Sequence, residues 1–200
     1  MFAEPHINGE KRGWIEVVCG AIFSGKTEEL IRRLRRAQIA RQRIAIFKPQ
    51  LDNRFDDVHI VSHDARSIPS TPVAGSAQIL ALCSGIDVAG VDEAQFFDSQ
   101  LPEVAEELAF RGVRVVVARQ DMDFPGHPPA GGPMPQLMAL AEYVTKLHAI
   151  CQQCGNPATH SFRLSAVSDQ ILVGEKEQYE PRCRHCFVRG MSQREAVQAP

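Results

Sequence analysis

Three groups of side chains in this sequence have the types and spacing that chemistry requires. The first is Gly20-Ala21-Ile22-Phe23-Ser24-Gly25-Lys26-Thr27, a full match to G-x-x-x-x-G-K-[ST]. Glycines let the backbone turn until its N–H groups converge on phosphate oxygens, and a following helix adds its positive end. In such a loop Lys26 reaches the β- and γ-phosphates and the Thr27 hydroxyl faces Mg²⁺. The second is Asp92-Glu93, closing the apolar run that starts at Ile86. An Asp in that position holds Mg²⁺ through water, and strand ends are where open α/β sheets bind ligands. Glu93 beside it can act as a general base. The proton it takes comes from water in an ATPase or helicase, and from a substrate hydroxyl in a kinase; the residues alone admit both.

The third group is Cys151-x-x-Cys154 and Cys183-x-x-Cys186, with 28 residues between the pairs. Paired knuckles of this kind place four thiolates around Zn²⁺ at ~2.3 Å each, a closed and therefore structural site. The interval exceeds the roughly 15–20 residues of a compact ribbon, so the metal is expected to clamp the base of a projecting loop. A redox dithiol and buried free thiols are the alternatives. Cys19 and Cys83 lie among apolar residues and read as core, and His185 reads as exposed.

Elements must position these groups. Residues 14–19 (WIEVVC) predict a first strand, and 25–42 a helix with Leu30, Ile31, Leu34, Ala37 and Ile39 on its apolar side. Arg32, Arg33, Arg35, Arg36 and Arg41 then form its other side, a solvated face or subunit contact. Further strands are expected at 43–48, 86–91, 113–118 and 145–150, and helices at 77–83, 98–111 and 136–143. Residues 50–75 are polar and Pro/Gly-broken, with a small hairpin around VHIVS. Residues 120–135 hold five prolines and three glycines and read as loop. Alternating buried strands and helices predict a mostly parallel sheet with crossover helices. The texture changes after Cys151, which puts a boundary near 148–150.

Composition bounds the function. Hydrophobic residues at 44% and charged residues at 23% are ordinary globular values over 200 residues. No run approaches the ~20 apolar residues of a membrane span, and the N-terminal stretch lacks the apolar segment of a secretory signal. A cytoplasmic protein is expected. Lys+Arg 22 against Asp+Glu 24 gives a net charge of −2, which does not suit nucleic acid as the main ligand. A nucleic-acid-dependent ATPase would also need a second ATP-binding lobe, for which 200 residues leave little room.

The ordered combination of G-A-I-F-S-G-K-T, Asp52-Asn53-Arg54-Phe55, Ser62-His63-Asp64, V-D-E-A-Q-F-F, Asp121-Met122-Asp123-Phe124 and the double cysteine knuckle, with Tyr179 before its second half, is highly specific. From Ile15 to Phe187 the chain resembles the type II thymidine kinases, the cytosolic zinc-containing family. The resemblance implies an α/β, P-loop NTPase-like kinase domain over 1–149. A small zinc-binding lasso domain over 150–200 would close over the nucleoside. It implies transfer of the ATP γ-phosphate to the 5′-hydroxyl of deoxythymidine, with Mg²⁺ and a structural Zn²⁺. Glu93 matches the family's catalytic base. Asp52, Arg54 and Gln95 match neighbours of the phosphates, and Phe124 the aromatic wall of the base pocket. Leu172, Val173 and Gly174 would meet the thymine edge through their backbone, with Tyr179 near the sugar. The family is usually a homotetramer and is commonly inhibited by dTTP. This sequence departs from the family pattern at Arg119-Gln120, Pro129 and Glu175, and has Ser161 where threonine is common.

Overall fold

Trp14–Gly20 forms β1, buried from Ile15 onward, one strand in from an edge of a six-stranded sheet. The computed structural model describes residues 12–50, 59–61, 67–164 and 178–198. Asp52, Arg54, Leu172, Val173, Gly174 and Glu175 lie outside them, as does Ser62-His63-Asp64. After β1 come α1 (Lys26–Ile39), β2 (Ile44–Pro49), the paired β3 (His59–Val61) and β4 (Ser67–Pro69), β5 (Thr71–Val73) and α2 (Ser76–Leu82). Then follow β6 (Val88–Val91), a single 3₁₀ turn (Ala94–Phe96), α3 (Leu101–Phe110), β7 (Arg114–Arg119), α4 (Met134–Leu140) and β8 (Tyr143–Leu147). The sheet order is β5-β2-β6-β7-β1-β8, and every pairing in it is parallel. A parallel sheet must be covered on both faces. Here α1 covers one, packing Leu30, Ile31, Leu34 and Ala37 on Val18, Ile46, Val88, Val116 and Ala118. On the opposite face Ile79, Leu101, Leu108, Met134 and Leu137 pack on Val17, Phe47, Val91, Val115 and Val117. Gly90 lets α1 come this close, because a Cβ there would stand 2.7 Å from Leu34 Cδ1.

The remaining elements carry the four cysteines and pair outside the six-stranded sheet. β9 (Ala149–Ile150) pairs antiparallel with β10 (Pro157–Ala158), and β11 (His160–Arg163) with β12 (Tyr179–Arg182), which leads into α5 (Arg184–Gln198).

The structure corrects the sequence reading at four places. Arg33 is fully buried, not part of a solvated face. Its Nη1 and Nε donate to Glu16 Oε2 and Glu29 Oε1, both at 2.8 Å, and its Nη2 to Thr145 Oγ1 at 2.9 Å. Arg114 Nε donates to the other Glu16 oxygen at 2.6 Å. A carboxylate at 0% exposure is tolerated in β1 because both its oxygens are paired. Ile39, placed on the apolar side, is 82% exposed at the helix end. Thr71–Val73 is a sixth strand in place of loop; Pro72 fits because β5 is an edge strand whose missing N–H faces outward. The helix expected at 136–143 starts and stops earlier, at Met134–Leu140, and the last sheet strand is Tyr143–Leu147.

Candidate active site

The loop after β1 is shaped by backbone conformations that few residues adopt. Gly20 has φ +149°, and a Cβ there would lie 2.3 Å from the Leu147 carbonyl oxygen. Gly25 sits at φ +83°, and Phe23 takes a left-handed φ of 59° despite its side chain. Gly25 offers no capping side chain, and among the described residues no side chain caps the start of α1, the arrangement that receives phosphate. Lys26 Nζ donates to the Ala21 carbonyl at 2.8 Å, folded back across the loop it serves. Burial pushes its ammonium below the ordinary lysine range, while Glu93, Asp92, Asp121 and Glu28 pull it back up. Thr27 is half-buried at the start of α1. The buried Ser24 hydroxyl has no partner among the described residues, a free polar group inside an anion cradle. Ile22 N–H donates to Ser161 Oγ at 3.0 Å, so the loop is braced from β11.

At the end of β6, Asp92 continues the sheet ladder through its N–H to the Phe47 carbonyl at 3.0 Å. Its side chain is buried, and Oδ1 accepts the Glu93 N–H at 2.9 Å. Glu93 is left-handed, with φ 49° and ψ 43°. That conformation costs a non-glycine residue roughly 1–3 kcal/mol and persists where the surroundings over-determine it, commonly at functional sites. Here it turns the chain sharply so that two successive carboxylates serve the same strand end. Gln95 Nε2 donates to Glu93 Oε2, which fixes the carboxylate, and the buried Gln95 Oε1 has no partner among the described residues.

The end of β7 adds groups that sequence reasoning noted only as a departure or a motif. Arg119 is buried, its Nε and Nη1 lack partners among the described residues, and burial pulls its guanidinium down to about 10 against Glu93, Asp121 and Asp123. Asp121 is buried and pairs with Lys146 at 2.5 Å. Lys26 and Arg119 thus share the fields of Glu93 and Asp121. The signal available in sequence was a charge closing an otherwise apolar strand, the same signal that marks Asp92.

Phe124 follows in a turn closed by Gly126 N–H to the Asp123 carbonyl at 3.0 Å. The guanidinium of Arg163, from β11, lies 4.2 Å from its ring centroid. Arg163 also donates to the Tyr179 hydroxyl from Nε at 3.1 Å and Nη2 at 2.9 Å. The structure therefore joins Phe124 to Tyr179 through a residue the sequence did not single out.

The four cysteines Cys151, Cys154, Cys183 and Cys186 converge, with sulfur atoms all within 4.8 Å of one another. Cys154 Sγ and Cys183 Sγ are 3.6 Å apart, close to the ~3.8 Å edge of a tetrahedron with ~2.3 Å metal–sulfur bonds. The N–H groups of Asn156 hold the Cys154 thiol at about 6, so it is largely thiolate near neutral pH, the state a metal binds. Contact with Cys154, together with burial, pushes Cys186 up to about 12. A divalent cation bound among these four sulfur atoms would release the protons the thiols still carry. Cys19 and Cys83 are different: buried among apolar side chains and raised to about 11 by burial, they are core residues, as expected. His185 is exposed, also as expected.

Known proteins match this arrangement. The family model described as thymidine kinase matches residues 13–187. The chain is 57% identical over 189 residues to a thymidine kinase of Rhodothermus sp. (strain ITI 518), covering 94% of this chain and 88% of that one. It is 54% identical over 190 residues to a thymidine kinase of Bacteroides thetaiotaomicron, covering 94% of each. A thymidine kinase of Porphyromonas gingivalis is 56% identical over 182 residues, covering 91% of this chain and 88% of that one. With a phosphate loop, a carboxylate pair at the facing strand end and four converging cysteines, the chain belongs to the thymidine kinase family and is a phosphotransferase.

Proposed function

We propose that this protein transfers the γ-phosphoryl group of Mg·ATP to the 5′-hydroxyl of thymidine, with Glu93 as the base that takes the hydroxyl proton. The observation that carries this reading is the left-handed turn at Glu93, which sets its carboxylate beside Asp92 and in the field of Lys26. In this reading the backbone of Gly20 to Gly25 and the Lys26 ammonium bind the triphosphate. Asp52, Arg54 and Gln95 support the same region, Gln95 by orienting Glu93. Thr27 and Asp92 would hold Mg²⁺, which neutralises charge between the phosphate oxygens. The nucleoside oxygen, losing its proton to Glu93, attacks the γ-phosphorus in line as the bond to ADP breaks. Phe124 supplies the aromatic wall for the base, Tyr179 lies near the sugar, and Leu172, Val173 and Gly174 read the base edge through their backbone. Excluding water from this site keeps it from competing with the nucleoside as acceptor.

The cysteine cluster is proposed to hold a structural Zn²⁺, which four thiolates suit and which leaves no open position for catalysis. We further propose division into a kinase domain, 1–149, and a nucleoside-covering domain, 150–200. Homotetramer formation, inhibition by dTTP and a cytoplasmic location complete the reading. The test is single-turnover phosphorylation of a panel of deoxynucleosides with Mg·ATP. Thymidine is expected to react fastest. No thymidine-dependent loss of ATP would overturn the reading, and ATP hydrolysis dependent on single-stranded DNA would replace it.

A further inference from the structure

Arg163 is about 2% exposed, a position a guanidinium occupies only where its desolvation is offset. Its neighbours show what it is used for. One face of the guanidinium lies on the Phe124 ring at 4.2 Å, and two N–H groups converge on the Tyr179 hydroxyl at 3.1 and 2.9 Å. Arg163 and Tyr179 are also direct partners across the β11–β12 pair, next to the Leu164 N–H bond to the Gln178 carbonyl at 2.7 Å. From α5, Arg194 donates to the Arg163 carbonyl, which ties the residue to the element carrying Cys186. Phe124 belongs to the loop after β7, about forty residues earlier in the chain than Arg163.

We infer that Arg163 is a positioning residue of the nucleoside pocket, holding the Phe124 ring and the Tyr179 hydroxyl in one fixed relation. The inference rests on the proposed nucleoside role of those two residues. A base that stacks on Phe124 uses the ring face opposite Arg163. With the cation backing the first face, the ring is held against tilting when the second is unoccupied. Tyr179 accepts two hydrogen bonds from one fork, which fixes both its oxygen and the direction of its own proton. Because the fork reaches across from the cysteine-bearing unit, the aromatic wall is assembled only when that unit is in place. A lysine at this position would keep the charge but not the planar fork, and so could not satisfy both contacts together.

The experiment compares wild type, Arg163→Lys, Tyr179→Phe and the double variant, with metal content per chain measured for each. Thymidine binding without ATP is read by titration calorimetry, and KM and kcat by initial rates. Arg163→Lys should raise the thymidine KM and Kd about tenfold, the scale of one buried cation–π contact with a charged hydrogen bond. The KM for ATP should move by less than about twofold, because the fork's contacts named among the described residues are with Phe124 and Tyr179. Tyr179→Phe should cost less, about threefold, and the double variant no more than Arg163→Lys alone, since both remove the same contact. Arg163→Lys with full metal content and wild-type thymidine affinity would overturn the inference, as would single effects that simply multiply. If Arg163→Lys does not hold its metal, Tyr179→Phe decides, and unchanged thymidine affinity there counts against it. A wild-type protein that binds ATP but no thymidine removes the nucleoside reading itself, and this inference with it.

Discussion

The two ends of the site are built on different principles. At the proposed phosphate end, Gly20 to Thr27 and Asp92-Glu93 stand at the C-terminal ends of two strands of one sheet, and the backbone does the shaping. At the proposed nucleoside end, Phe124, Arg163 and Tyr179 come from three segments and meet through side chains. The first arrangement is rigid because the sheet is; the second is as rigid as the contacts and the cysteine cluster make it. Damage to the cysteine-bearing unit should therefore reach the nucleoside first. Damage to the loop or the carboxylate pair should stop transfer with the nucleoside still bound.

The largest effects belong to the phosphate end. Lys26→Ala removes a cation from the triphosphate and should leave no more than about a few per cent of turnover. The fold should survive, since Lys26 belongs to neither apolar core of the sheet. Glu93→Gln keeps the shape and the reach but not the basicity, so transfer should fall about 10²–10⁴-fold. Both Mg·ATP and thymidine should still bind to this variant, as equilibrium titration would show. A single-turnover rate near wild type would remove Glu93 from the base role and blur the distinction between the two ends.

Next in size is a change beneath both ends. Arg33→Ala leaves Glu16 a buried carboxylate with one partner fewer, and should cost about 3–5 kcal/mol in denaturant unfolding. Loss of less than about 1 kcal/mol would mean that water or a neighbour reaches Glu16. Metal removal is the test that separates the ends. Cys183→Ser, or chelation, should lower metal content below about one per chain and weaken nucleoside binding, with Mg·ATP binding kept. Equal loss of both ligands would show that the two ends fold as one unit.

This contrast also explains what could be read in the sequence. The phosphate loop and carboxylate pair were legible because each is contiguous, and backbone shaping needs particular residues side by side. The four cysteines were legible from the repeated spacing of a single residue type. Arg33 was misread because five basic residues near one helix look like a solvated face. Only its partner Glu16, a charge inside an apolar strand, marks it as buried. Arg163 gave no local signal, since its role depends on residues about forty positions before it and sixteen after it. β5 was hidden by Pro72, whose effect depends on whether the strand is central or at the edge. α5 was missed because its inward side is thin: Phe187 and Gly190 are its buried positions among those described.

The smallest expected effect lies where the two ends touch. Ser161, on β11, accepts the Ile22 N–H at 3.0 Å and so lends the phosphate loop an acceptor from the cysteine-bearing unit. Its second contact, to Gln120 Oε1 at 3.5 Å, is long and adds little. Ser161→Ala leaves that loop N–H without its partner, which is worth about 1 kcal/mol net when water can replace it. Mg·ATP affinity should therefore fall by about three- to tenfold, since 1.4 kcal/mol is a factor of ten. Ser161→Thr keeps the hydroxyl and should restore most of that affinity. The direction of the effect matters more than its size. A loss confined to ATP would mean that the second unit braces the loop without gating the nucleoside. A loss shared equally by ATP and thymidine would mean that the Ile22–Ser161 bond couples the two ligands. Unchanged affinity for ATP would show that the loop holds its shape through Gly20 and Gly25 alone, and the two ends would then be independent at their one direct hydrogen bond among the described residues.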